Sequence, residues 1–123
     1  MEHKKRFETE AIRTQTARTG YSEHSTPLFL TSSFIFDDAE DMRASFAEEK
    51  DKNLYSRFSN PNTTELVNKL VKMEKAESGY AFATGMAAIY STFAALLSAG
   101  DHIVSVRSIF GSTHTLFTTY FPK

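Results

Sequence analysis

No cysteine and no tryptophan occur in the 123 residues, and proline (three) and glycine (five) are sparse. Without cysteine there is no disulfide, no thiolate nucleophile and no cysteine-ligated metal. That excludes a secreted disulfide scaffold and is compatible with a cytoplasmic home. An excess of one charge is also missing. The formal net charge is -1 at pH 7, which gives no electrostatic basis for binding nucleic acid or an anionic membrane. Long apolar runs are absent too. The longest, residues 81–97, is broken by Thr84, Gly85, Ser91 and Thr92, so no membrane span is expected. The opening MEHKKRFETEAIRTQ is basic but has no apolar stretch behind it, so no secretory signal is expected. His3, His24, His102 and His114 show no metal-ligand spacing and are expected at the surface or in packing roles.

What is present is an ordinary globular balance, 41% hydrophobic and 24% charged, in a length that suits one domain. Eleven phenylalanines and five tyrosines are many rings for so short a chain. Some of them are expected to find their cover in an oligomer or a larger body.

Along the chain, residues 1–25 read as a polar arm with a short helix near Thr9–Gln15. PLFLTSSFIF, residues 27–36, is β-prone, but Pro27 and its Thr-Ser-Ser centre argue against a central strand. Asp37 to Lys52 has the spacing of an amphipathic helix. Its acidic start (Asp37, Asp38, Glu40, Asp41) suits the positive end of a helix dipole and lacks the glycine and alternating ligands of a calcium loop. A polar loop from Asn53 ends in Asn60-Pro61-Asn62. A helix then follows through TTELVNKLVKMEKAE, with Asn62 and Glu65 as its capping pair and Gly79 as its stop. Tyr80–Ala83 and His102–Val106 read as strands and Gly85–Ser98 as the helix between them. A last helix, capped by Ser112 or Thr113, runs to about Phe121. Helix, strand, helix, strand, helix implies a parallel α/β unit. Two parallel strands do not make a stable sheet, and Pro122-Lys123 falls where another strand is expected, so the chain reads as the beginning of something longer.

Three stretches carry chemistry. In Ala83-Thr84-Gly85-Met86 a turn feeds a helix. Such a joint presents free N–H groups and the positive dipole end, a ready anion site, although a glycine there is also what a tight turn alone requires. Neither the Walker loop nor G-x-G-x-x-G is present. In Leu54-Tyr55-Ser56-Arg57-Phe58 an extended backbone would point Tyr55 and Arg57 the same way. Arg57 suits a bidentate bond to phosphate, and Tyr55 carries a hydroxyl donor. In Ser108-Ile109-Phe110-Gly111 a ring follows a strand end, where ligands of parallel α/β folds bind and where it can stack on a flat cofactor. Taken singly, Arg57 is equally a solvated charge and Phe110 a core ring.

Together, LYSRFSNPN, ATGMAAI and SIFGSTHTLF resemble, in this order, the N-terminal third of the pyridoxal-phosphate enzymes of Cys/Met metabolism. That family includes cystathionine γ-synthases, methionine γ-lyases and homoserine sulfhydrylases. The resemblance runs from about Ala11 to Phe121 and is nearest to the sulfhydrylases that use O-succinylhomoserine. It implies the N-terminal part of an aspartate-aminotransferase-like (fold type I) α/β transferase. Residues 1–61 would be an arm and cofactor-reaching loop, and 62–123 the start of the large cofactor-binding domain. It implies pyridoxal 5'-phosphate as cofactor and a cytoplasmic homotetramer of active dimers acting on small molecules. Tyr55, Ser56 and Arg57 would reach a neighbouring subunit's cofactor phosphate, Tyr55 also handling protons in catalysis. Gly85 and Met86 would hold the phosphate by their amides, and the Phe110 ring would cover the pyridine.

Two departures matter. Phe110 stands where the family commonly has tyrosine, which keeps stacking but loses a hydroxyl. The family's cofactor-carrying lysine, in a Ser-x-Thr-Lys context, is absent, as is the aspartate that pairs with the pyridine nitrogen. The chain alone is therefore expected not to catalyse the γ-replacement of an activated homoserine ester by sulfide. A piece of a longer or split enzyme is one reading. A non-catalytic unit that binds phosphate or pairs with another subunit is the other.

Overall fold

The computed structural model describes residues 5–122; His3, Lys4 and Lys123 lie outside them. The described residues fall into two compact units, divided between Tyr80 and Ala81.

The first unit is built on three helices, α1 (Phe7–Arg13), α2 (Ala39–Phe46) and α3 (Pro61–Glu74). An extended arm runs between α1 and α2. Helix α3 starts two residues before the expected capping pair. Asn60 is its N-cap, its side chain accepting the Asn62 N–H at 2.9 Å, and Pro61 takes the first helical position, where a missing N–H costs nothing. Asn62 therefore does not cap α3. Its carboxamide accepts the Phe29 N–H and donates to the Pro27 carbonyl, both at 2.8 Å. Asn60 also donates to the Phe29 carbonyl at 3.1 Å. The two asparagines thus satisfy arm backbone that has no strand partner there.

Glu65, the other half of the expected pair, is likewise used for tertiary contact. It is buried and accepts from the Thr16 N–H at 3.1 Å, from the Thr26 hydroxyl and from Lys69 at 2.8 Å. Burial opposes its ionisation, but the bonds from Lys69, Thr26 and Thr16 outweigh it and hold the carboxyl down at about 2. A carboxyl lowered in the fold adds stability above its unfolded value of 4.5, and that stability disappears as pH falls toward about 2. The protection of the Thr16 amide, measured relative to its intrinsic exchange rate, should therefore fall across that window in the native chain. In Glu65→Gln that protection should be low already at neutral pH and vary little with pH. An equal pH profile in both would contradict this tether.

Helix α3 ends on Lys75, which takes the left-handed conformation (φ 55°), so Gly79 is not its stop. Gly79 instead packs on the helix: an added Cβ would meet Val71 at 3.2 Å and Val67 at 3.4 Å. Helix α2 is also shorter than expected. Asp38 caps it by accepting the Asp41 N–H at 2.7 Å, and Glu48 (φ 58°) turns the chain out of it. Lys50 and Lys52 then fold back onto the buried Asp41. Hydrogen bonds from Lys52, Lys50 and the Asp37 N–H hold the Asp41 carboxyl far below the usual carboxylate range. The acidic start is thus met by lysines and by the helix amides.

The second unit contains α4 (Gly85–Leu96), α5 (Gly111–Thr115) and a π-helical turn (Leu116–Tyr120). Four rings join α4 to the last turn. Phe93 meets Phe117 edge-on at 4.7 Å, and Tyr90 stacks on Phe121 at 5.6 Å. The last helix begins at Gly111 behind Phe110, so neither Ser112 nor Thr113 caps it.

The expected strands Tyr80–Ala83 and His102–Val106 do not form a ladder. Among the described residues the one bridge joins Ser33 to Tyr55, antiparallel. A parallel strand draws all its hydrogen bonds from neighbours, and these two segments do not pair with each other. Their apolar side chains are correspondingly bare: Val104 is 99% exposed, and only Ala44 and Leu116 are buried hydrophobics among the described residues. Leu30 (91%) and Ile35 (89%) show the same in the first unit. A monomer rarely exposes contiguous apolar surface on this scale. No helix among the described residues is long and apolar enough to cross a membrane.

Candidate functional site

In the first unit the backbone brings Tyr55 and Arg57 together, though not by the extended geometry expected of them. The arm at Ser32–Phe34 pairs with Leu54–Ser56 through Ser56 N–H to the Ser32 carbonyl (2.8 Å) and Phe34 N–H to the Leu54 carbonyl (3.3 Å). The chain then turns at once, the Phe58 and Ser59 N–H groups both donating to the Tyr55 carbonyl, at 2.8 and 3.1 Å. In this turn the Arg57 guanidinium lies over the Tyr55 ring, Cζ 5.3 Å from its centroid. No carboxylate pairs with Arg57 among the described residues. Its N–H donors are open to an external anion. Ser56 is committed differently: its hydroxyl donates to the Thr31 carbonyl and accepts from Asn60 at 3.0 Å. It braces the turn against the arm.

In the second unit Thr84 is the N-cap of α4. Its backbone is extended (φ -142°, ψ 153°), and its hydroxyl accepts the Ala87 N–H at 3.1 Å. The first backbone bond of the helix is Ala88 N–H to the Thr84 carbonyl, 3.1 Å. Gly85 and Met86 are therefore the two positions whose amides precede the intrahelical bonding. They sit at the positive end of a twelve-residue helix with no acidic side chain in its first turn. An added Cβ at Gly85 would meet nothing within 4 Å. The Thr84 hydroxyl acts as the helix cap. Phe110 stands at the N-cap of α5, 70% exposed, and is not the core ring that its composition alone allowed. A cleft of about 510 Å³ in this unit, walled by His102, Arg107, His114 and Phe117 among others, includes none of the expected site residues.

Each unit thus offers features of its own: the first an arginine without a carboxylate partner in a tyrosine turn, the second a helix start with unbonded amides and an exposed ring at Phe110. The model of the Cys/Met metabolism PLP-dependent enzyme family matches residues 8–123, and the chain belongs to that family. It is 43% identical to an O-succinylhomoserine sulfhydrylase of Pseudomonas aeruginosa, over 95% of this chain and 29% of the relative. It is 42% identical to an L-methionine gamma-lyase of Fusobacterium nucleatum, over 88% of this chain and 27% of the relative. Its trace superposes, with a TM-score of 0.88 and 28% identity, on a Campylobacter jejuni protein described as an O-acetylhomoserine (thiol)-lyase. That match covers 94% of this chain and 29% of the other, which carries N'-pyridoxyl-lysine-5'-monophosphate. The chain thus spans under a third of the length of these relatives and corresponds to their N-terminal portion, with the fold type I architecture.

In the chemistry of their donors the residues of each unit, taken by itself, fit the phosphate end of this cofactor: two unbonded amides on a helix dipole in the second unit, and an unpaired guanidinium in the first, are donors suited to a dianion. They do not supply its lysine. Lys50 and Lys52 are tied to Asp41 and Lys69 to Glu65, and no lysine stands in a Ser-x-Thr-Lys context. Phe58, outside the expected set, also lies against Arg57.

Proposed function

We propose that residues 1–123 work as the N-terminal portion of a PLP-dependent enzyme that replaces the γ-substituent of O-succinylhomoserine with sulfide, giving homocysteine for methionine biosynthesis. The open amide pair at the start of α4 carries this reading, and the identity to a sulfhydrylase supports its substrate. When bound, the cofactor supplies an electron sink for carbanion chemistry. The chain's own groups bind and orient. Gly85 and Met86 donate backbone N–H to the phosphate, and Arg57 neutralises it. The Phe110 ring covers the flat face of the pyridine. The Tyr55 phenolic oxygen holds a proton near the substrate, and Ser56 keeps the turn in register. In this reading the enzyme is a cytoplasmic homotetramer in which the Tyr55–Arg57 turn serves a neighbouring subunit's site.

The test is a substrate comparison with the purified enzyme. O-succinylhomoserine plus sulfide should give homocysteine and succinate faster than O-acetylhomoserine gives homocysteine and acetate. L-methionine should release little methanethiol. Methanethiol release as the dominant activity would instead make this a lyase. No turnover of any of these, with pyridoxal phosphate still bound, would leave a non-catalytic cofactor-binding unit.

A further inference from the structure

Arg57 has two rings, not one. Its Cζ lies 5.2 Å from the Phe58 ring centroid as well as 5.3 Å from that of Tyr55. The rings are 6.3 Å apart and inclined by 65°, so the guanidinium rests in an aromatic wedge. The site described above uses Tyr55 and Arg57 and gives Phe58 no part. Core packing does not account for Phe58 either, since it is 61% exposed. Nor does the turn need the ring, because the turn closes through the Phe58 backbone N–H.

We propose that Phe58 is a positioning residue for the cofactor phosphate, holding Arg57 between its own ring and that of Tyr55; this rests on the phosphate role of Arg57 given above. A free arginine side chain loses much rotamer freedom when it binds. Ring contacts made in advance remove part of that loss, which is how preorganisation raises affinity. The cation–π contact engages the charge with the ring face and leaves the N–H hydrogens for the phosphate oxygens. A leucine at this position would keep the bulk and lose the quadrupole. A tyrosine would keep both.

The experiment is a titration of the apoenzyme with pyridoxal phosphate, and with pyridoxal, for the native protein, Phe58→Leu and Phe58→Tyr. Each is made with Arg57 present and with Arg57→Ala. Phe58→Leu should weaken pyridoxal phosphate about threefold and Phe58→Tyr hardly at all. The loss should vanish in the Arg57→Ala background and with pyridoxal, which has no phosphate. Equal weakening by leucine in both backgrounds would make Phe58 a general packing residue and overturn the proposal. So would leucine and tyrosine variants that bind alike. If Arg57→Ala weakens binding while Phe58→Leu does not, only the positioning role falls. If Arg57→Ala itself has no effect, the phosphate role of Arg57 falls and the Phe58 role with it.

Discussion

Replacing Arg57 with alanine should weaken capture of pyridoxal phosphate by the apoenzyme about a hundredfold. Thermal unfolding should hardly change. The size follows from removing one partner of a charge-assisted contact, which costs about 3 kcal/mol, or two powers of ten in affinity. The small effect on folding follows from what Arg57 does in the free chain. It is exposed, has no carboxylate partner among the described residues and touches two rings. Exposed contacts of that kind contribute about 0.5–1 kcal/mol. Arg57→Lys separates charge from geometry. It keeps the positive charge but loses the planar fork, so its affinity should fall between the two, about tenfold below native. Native affinity in Arg57→Ala would remove Arg57 from the site.

The second large effect is expected at Gly85, where proline deletes one N–H and little else. The residue is the first of α4, the helix position that tolerates proline best because its N–H makes no intrahelical bond. Thr84 already has the extended backbone that a following proline requires. Gly85→Pro should therefore leave the helix content and unfolding temperature close to native. It should weaken pyridoxal phosphate about tenfold to a hundredfold, the cost of one lost donor to a charged acceptor. Gly85→Ala is the companion. It keeps the N–H and adds a Cβ into open space, so its loss should be much smaller. Gly85→Pro binding as tightly as native would show that this amide does not hold the phosphate.

The helices, and the family that the motifs mark, were legible in the sequence because both depend on local chemistry. Apolar periodicity located α3 and α4, and Thr84-Gly85 marks a helix start by its residue types alone. What was not legible depends on partners. Asn62 and Glu65 have the spacing of a capping box, yet both side chains bond to the arm, more than thirty residues away in sequence. No local pattern encodes that choice. Asp37 to Lys52 has helical spacing, but two lysines returning to Asp41 end the helix early. HIVSV has the composition of a strand, and Val104 is nonetheless bare, because a parallel strand is made by its neighbours. Tyr55 and Arg57 meet in a turn, and not along the extended backbone that their spacing suggests. Nothing local marks the Phe58 contact with Arg57, because a ring next to an arginine has the same composition as a ring in a core.

The central claim is that the amides of Gly85 and Met86 grip the cofactor by its phosphate. Hydrogen exchange of the segment from Thr84 to Ala88 in the apoenzyme tests it most directly, measured with saturating pyridoxal phosphate and again with saturating pyridoxal. The account predicts slowed exchange at Gly85 and Met86 with the phosphate ester and little slowing with pyridoxal. Equal protection by both ligands, or by neither, would contradict it.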